Sequence, residues 1–86
     1  MPQVSRFFGI IIFMYYDEHN PPHFHAKYQE DEAQFNIDTP EVIKGKLPVR
    51  AKALVLEWAS EHRHELLDNW QLSSNLKTLH KIDPLT

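Results

Sequence analysis

The densest chemistry in the chain is one octapeptide, Glu18-His19-Asn20-Pro21-Pro22-His23-Phe24-His25, which holds three imidazoles and a carboxylate. If residues 23–28 form a strand, its period of two places His23 and His25 on one face, close enough to touch one ion or one phosphate. Imidazole accepts and donates protons near neutral pH, so such a pair can work as base and acid. On that reading His23 and His25 are the candidate catalytic residues. One takes the proton of a ribose 2′-OH and the other protonates the leaving oxygen. Glu18 and His19 flank them as binding residues, in a connection stiffened by two prolines, either of whose peptide bonds can be cis. The same side chains allow a second chemistry. His19, His23 and His25, with a carboxylate from Asp17 or Glu18, can hold Zn²⁺ in a mostly nitrogen site. No downstream ligand pair accompanies them, so neither a metal nor another cofactor is expected. The plain alternative is that these histidines are solvated on a hairpin face or bonded to turn carbonyls.

A second group of candidates is basic. Residues 17–41 carry seven acids against one Lys, whereas residues 42–56 carry Lys44, Lys46, Arg50 and Lys52 and no acid. Those four cations bracket an expected helix start, where free N–H groups attract anions and where positive side chains oppose the helix dipole. An RNA phosphate or an acidic partner would offset that opposition. The alternative is four solvated charges, each worth tenths of a kcal/mol. Lys27 shares the expected strand face of His23 and His25, and either Lys27 or Arg50 is placed to stabilise phosphate charge. The formal net charge of -3 argues against bulk nucleic-acid binding and leaves only this local patch.

These residues must be positioned by a small fold. Eighty-six residues make one domain, 1–86, and a chain of 10.2 kDa buries about 64% of its unfolded surface. The absence of Cys excludes disulfides, thiol nucleophiles and thiolate zinc sites. Phe7–Tyr16 is a continuous apolar run, too short to span a bilayer as a helix and lacking the flanks of a signal peptide. It is expected to be a buried strand, and the protein to be cytoplasmic, with no membrane partner. His23–Tyr28 and Ala33–Asp38 alternate apolar and polar residues and read as two more strands, with Val42-Ile43 as a short edge. Pro48 suits a first helical position, and from Val49 to about Leu72 the apolar residues recur with a 3.6 period. Ala51, Val55, Trp58, Ala59, His62 and Leu66 form the buried face. His62 is thus expected to be a core histidine, and His64 and His80 surface ones. The string from His64 to Asp68 resembles half a zinc-protease motif, but Asp68 stands where the second histidine should be. The fold class is α+β: a three- or four-stranded antiparallel sheet, one long helix packed on one face, and an extended C-terminal tail. The first strand is apolar on both sides, with Phe8, Ile10, Ile12 and Met14 on one and Phe7, Ile11 and Phe13 on the other, and a single helix covers only one of them. That second side calls for cover by the tail, by a second copy in a homodimer, or by a different protein.

The octapeptide also carries a resemblance. Glu18 to His25 matches intact the Glu-His-x-Pro-Pro-His-x-His hallmark of a family of very small bacterial and archaeal proteins classed as a domain of unknown function. The segment from Glu61 to Trp70 is similar to that family's helix, and Lys81-Ile82-Asp83-Pro84-Leu85 to its tail. Members are commonly encoded beside another small protein, and some are described as toxin components of toxin–antitoxin pairs. The resemblance therefore implies a toxin-like half of a two-protein module, and the nearby basic residues suggest RNA or a nucleotide as its substrate. The alternatives are a non-enzymatic protein-binding or dimerisation module and a histidine-based metal-binding domain. It supplies no catalytic residue or cofactor, but it marks Glu18, His19, His23, His25, His62 and Trp70.

Overall fold

The computed structural model describes residues 2–86. Its elements run β1 (Gln3–Phe7), β2 (Ile10–Phe13), β3 (His23–Tyr28), β4 (Asp31–Asn36), β5 (Glu41–Gly45), α1 (Val49–Glu61) and α2 (Arg63–Ser74). The strands form one antiparallel meander in chain order. The α+β class stands, with five strands in place of three or four and two helices in place of one. No helix among the described residues is long and apolar enough to cross a membrane.

The extra strand, β1, lies ahead of the apolar run and shares only Phe7 with it, and the run itself holds a turn and β2 and is not a single strand. Phe8 and Gly9 turn the chain with φ of 49° and 78°. Two successive left-handed residues make the tight turn whose twist matches that of the flanking strands. Phe7 consequently pairs with Ile10 and points with it into the core, not to the second sheet face. Phe8, at the turn tip, is exposed.

One face of the sheet supplies Ile10, Ile12, Phe24, Ala26, Ala33 and Phe35 to the core, and the helices cover it with Ala51, Val55, Trp58, Ala59, Leu66 and Trp70. Phe24 stacks on Phe35 at 5.3 Å and meets Trp58 edge-on at 5.9 Å. These are the offset and T-shaped contacts that ring quadrupoles favour.

The helical segment breaks at His62, whose φ of -120° interrupts the spiral while its N–H is shared between the carbonyls of Trp58 and Ala59. His62 is therefore not a core residue. It is partly exposed, packs against Trp58 at 5.4 Å and donates from Nδ1 to Glu65 Oε1 at 2.6 Å. Glu65 reaching back three residues to the capping position is a side-chain variant of the capping box. Arg63 Nε donates to the Asp38 carbonyl at 2.8 Å, pinning the start of α2 beside the β4–β5 connection.

The tail after α2 joins the helix side. Ile82 N donates to Val4 O on β1, Trp58 Nε1 donates to Asp83 O, and Asn69 exchanges two hydrogen bonds with the His80 backbone. Ile82 and Leu85 are buried in the same cluster as Trp58. The tail thus shields edge strand β1 and leaves the second sheet face alone.

Candidate functional site

The second sheet face is where the octapeptide works. Phe13, His25, Gln34 and Lys44 are consecutive register partners across β2, β3, β4 and β5, so they share this face in one row. Lys27 and Glu32 form the next row, and His23 pairs with Asn36 at the other side. Period two therefore does place His23 and His25 together, with ring centres 5.3 Å apart. It does not leave them in solvent. They are only 7% and 3% exposed.

Three aromatic side chains bury them. Phe13 stacks on His25 at 5.1 Å, Tyr15 meets it edge-on at 4.8 Å, and Trp70 from α2 lies 5.1 Å from His23. The connection from β2 to β3 folds over this end of the sheet. Asp17 N donates to Ser73 O at the end of α2, and Ile37 N donates to Pro22 O, so the loop is tethered on both sides. The Asn20–Pro21 peptide is cis.

The loop delivers Glu18 to both rings. Its Oε1 lies 3.1 Å from His23 Nε2 and 3.0 Å from His25 Nε2. The second contact has hydrogen-bond geometry and the first does not. His23 Nδ1 lies 2.8 Å from the Pro21 carbonyl, which only accepts, so the proton sits on Nδ1. In the neutral ring Nε2 then presents a lone pair toward a carboxylate oxygen, buried and without a partner. His25 Nδ1 is likewise buried and unbonded, with Glu32 Oε2 beyond bonding range at 3.6 Å. Glu18, His23 and His25 each offer a ligand atom within 4.8 Å of the others.

The other expected residues are distributed differently. His19 is exposed and lies outside the cluster, so the His19–His23–His25 ligand set is replaced by Glu18, His23 and His25. The connection turns His19 outward while Glu18 turns in. Lys44 is on the same sheet face as the cluster, two strands from His25. Arg50 lines a cleft with Phe8, Ile10 and Tyr28 on the helix side. Lys46 and Lys52 are exposed, and Lys46 N donates to Glu32 O. The four cations that are close in sequence thus do not form one patch around the histidines.

Glu32, Phe13 and Tyr15 belong to the site and were not among the sequence candidates. For Glu32 the available signal was its place in the β3–β4 hairpin, where the two-residue turn Gln29-Glu30 sets it opposite Lys27 and one row from His25.

No curated protein and no solved structure matches the chain. A family model described as "Domain of unknown function (DUF4160)" matches residues 9–71, a stretch that contains Glu18, His23, His25, Glu32 and Trp70. With most of its length matched from the first hairpin turn to the second helix, the chain belongs to the DUF4160 family.

Proposed function

We propose that the protein is the toxin-like component of a two-protein module and acts on a phosphate ester of RNA or a nucleotide. The Glu18–His23–His25 cluster is its reacting centre. The observation that supports this reading is the shared face: a buried histidine pair stands on one sheet face with Lys27 and Lys44, closed by Glu18 from the loop and by Trp70 of α2 beside His23. Ring nitrogens supply the reactive groups, and two ammonium groups flank them to hold phosphate oxygens. A simple exchange of protons between the two imidazoles fits poorly, because both Nε2 atoms face the same carboxylate oxygen instead of opposite sides of a bound phosphate.

Inducible expression tests the proposal. Growth arrest is expected from the unaltered protein and is lost in a His23→Ala/His25→Ala variant that folds. Undiminished arrest by that variant removes the cluster from the activity. In purified protein, Lys27→Ala/Lys44→Ala should lower the salt slope of binding to a single-stranded oligoribonucleotide by about 1.4, the release expected for two phosphate contacts. An unchanged slope removes the two lysines from the interface.

A companion protein or a second copy is a further reading for the rim of this face. Tyr15 and Tyr16 expose 39% and 41% of their surface beside the site, and aromatic residues are enriched in protein interfaces. Light scattering that finds a monomer, together with no complex on co-expression with the adjacent gene, would exclude it.

A further inference from the structure

We infer that Glu18, His23 and His25 form a binding site for one divalent first-row transition-metal ion of the Zn²⁺ class, with a coordination position left open. The inference rests on the reading of this cluster as the reacting centre only for its use; the site itself follows from geometry. Two buried nitrogens lack partners, His23 Nε2 and His25 Nδ1; one cation takes up the first directly and, by binding Nε2 of His25, turns the second into a donor facing Glu32. His23 already has its proton on Nδ1, directed at the Pro21 carbonyl, so Nε2 is free to coordinate. His25 needs only the matching tautomer. With Nε2 on the metal, its proton moves to Nδ1 and faces Glu32 Oε2, now 3.6 Å away. Each metal-bound imidazole then has its other nitrogen directed at a backbone carbonyl or a carboxylate, the outer arrangement that orients histidine ligands in metal sites.

The spacing agrees. Metal–ligand bonds of about 2.0–2.1 Å in a tetrahedron put ligand atoms about 3.3 Å apart. Glu18 Oε1 stands 3.1 Å and 3.0 Å from the two Nε2 atoms, so a small opening of the cluster admits the ion. Two imidazoles and one carboxylate suit Zn²⁺, Fe²⁺, Co²⁺ or Ni²⁺ and not Mg²⁺ or Ca²⁺, which need a shell of oxygens. Three protein ligands leave a place for water or a phosphate oxygen, as catalytic and not structural sites do. Access is from the side of Glu18, whose side chain is 25% exposed against 9% and 4% for the histidines. The ion also changes the charge of the face. Glu18 and Glu32 offset Lys27 and Lys44, and a divalent cation at the cluster makes the surface attractive to a phosphate ester.

The test uses chelator-treated full-length protein titrated with Zn²⁺ or Co²⁺ alone. One ion per chain is expected, with a visible Co²⁺ absorption spectrum and a rise in melting temperature with Zn²⁺. His23→Ala and Glu18→Gln should each weaken uptake at least about tenfold, Glu32→Ala about ten- to a hundredfold, and His19→Ala should leave it within about twofold. Glu18 lies at the rim, so Glu18→Gln keeps the test valid if His23→Ala does not fold. No uptake, or uptake unchanged by Glu18→Gln, overturns the ion site. Growth arrest that depends on the two histidines, in a protein that takes up no ion when titrated, leaves the phosphate-ester reading standing without the ion site. Stoichiometric uptake that Glu18→Gln abolishes, in a protein without effect on growth, supports the ion site and removes the phosphate-ester reading.

Discussion

The same substitution at two glycines separates backbone strain from close packing. Gly9 and Gly45 have nearly the same left-handed conformation, with φ of 78° and 80°. Alanine at either position carries the same left-handed penalty, about 1–2 kcal/mol. Their surroundings differ. A Cβ at Gly9 would sit 3.4 Å from the ring of Tyr28, an ordinary contact with a side chain that can shift. A Cβ at Gly45 would sit 2.3 Å from the Glu32 carbonyl oxygen and 3.1 Å from Ala33 Cα, both on the β4 backbone. Relieving that overlap displaces one strand by about 1 Å from its partner, and overpacking of this kind costs about 1–3 kcal/mol. The Glu32 carbonyl also accepts from Lys46 N at 3.2 Å, a bond worth about 1 kcal/mol. Gly45→Ala should therefore destabilise by about 3–6 kcal/mol and Gly9→Ala by about 1–2 kcal/mol. Urea unfolding followed by tryptophan fluorescence reads the difference as a shift in midpoint at a common slope. Costs within about 0.5 kcal/mol of each other would refute the close approach of β5 to β4. If Gly45→Ala still folds, it should also weaken metal uptake, because it moves the residue that faces His25.

Two further predictions concern the tail. Asn69→Ala removes both hydrogen bonds to the His80 backbone from a fully buried position and should destabilise by about 2–4 kcal/mol, read in the same urea experiment. A cost below about 0.5 kcal/mol would mean that the tail is not docked through Asn69. Trp58→Phe removes the bond to Asp83 O and part of the central ring volume, for about 2–3 kcal/mol; hydrogen exchange should show faster opening at Ile82 N, and unchanged protection there would count against the contact.

What the sequence made legible follows from which signals are local. Alternation identified β3 and the shared face of His23 and His25, because a period of two needs no knowledge of the neighbouring strands. The helical face from Ala51 to Ala59 was legible for the same reason. The first hairpin was not. Phe8 has no preference for a left-handed turn, so an unbroken apolar run concealed one behind Gly9. Nor was the break at His62, where neither Gly nor Pro interrupts the pattern and the change of direction comes from docking α2 against Asp38 and His23. The basic residues do not converge in the fold, because proximity in sequence is not proximity in space. The turn into α1 sends Arg50 to the helix side of the sheet while Lys44 stays on the other.

The site itself divides along the same line. Glu18 and the two histidines are visible as a motif, yet the motif does not disclose that its prolines act through their carbonyls. Pro21 O fixes the proton of His23, and Pro22 O ties the loop to Ile37 at the end of β4. Asp17 is held in turn by Ser73, so the segment carrying Glu18 is anchored to both the sheet and the second helix. That double tether is what places a flexible carboxylate within 3.1 Å of two buried nitrogens at once. A convergence so constrained has a free-energy cost, since it leaves polar atoms without partners in a low-dielectric setting. A core needs no such arrangement, because Phe13, Tyr15 and Trp70 would bury two aliphatic residues at positions 23 and 25 more favourably. Imidazoles at those positions suit a ligand that uses their lone pairs, and a divalent cation is the simplest one that uses both together with Glu18.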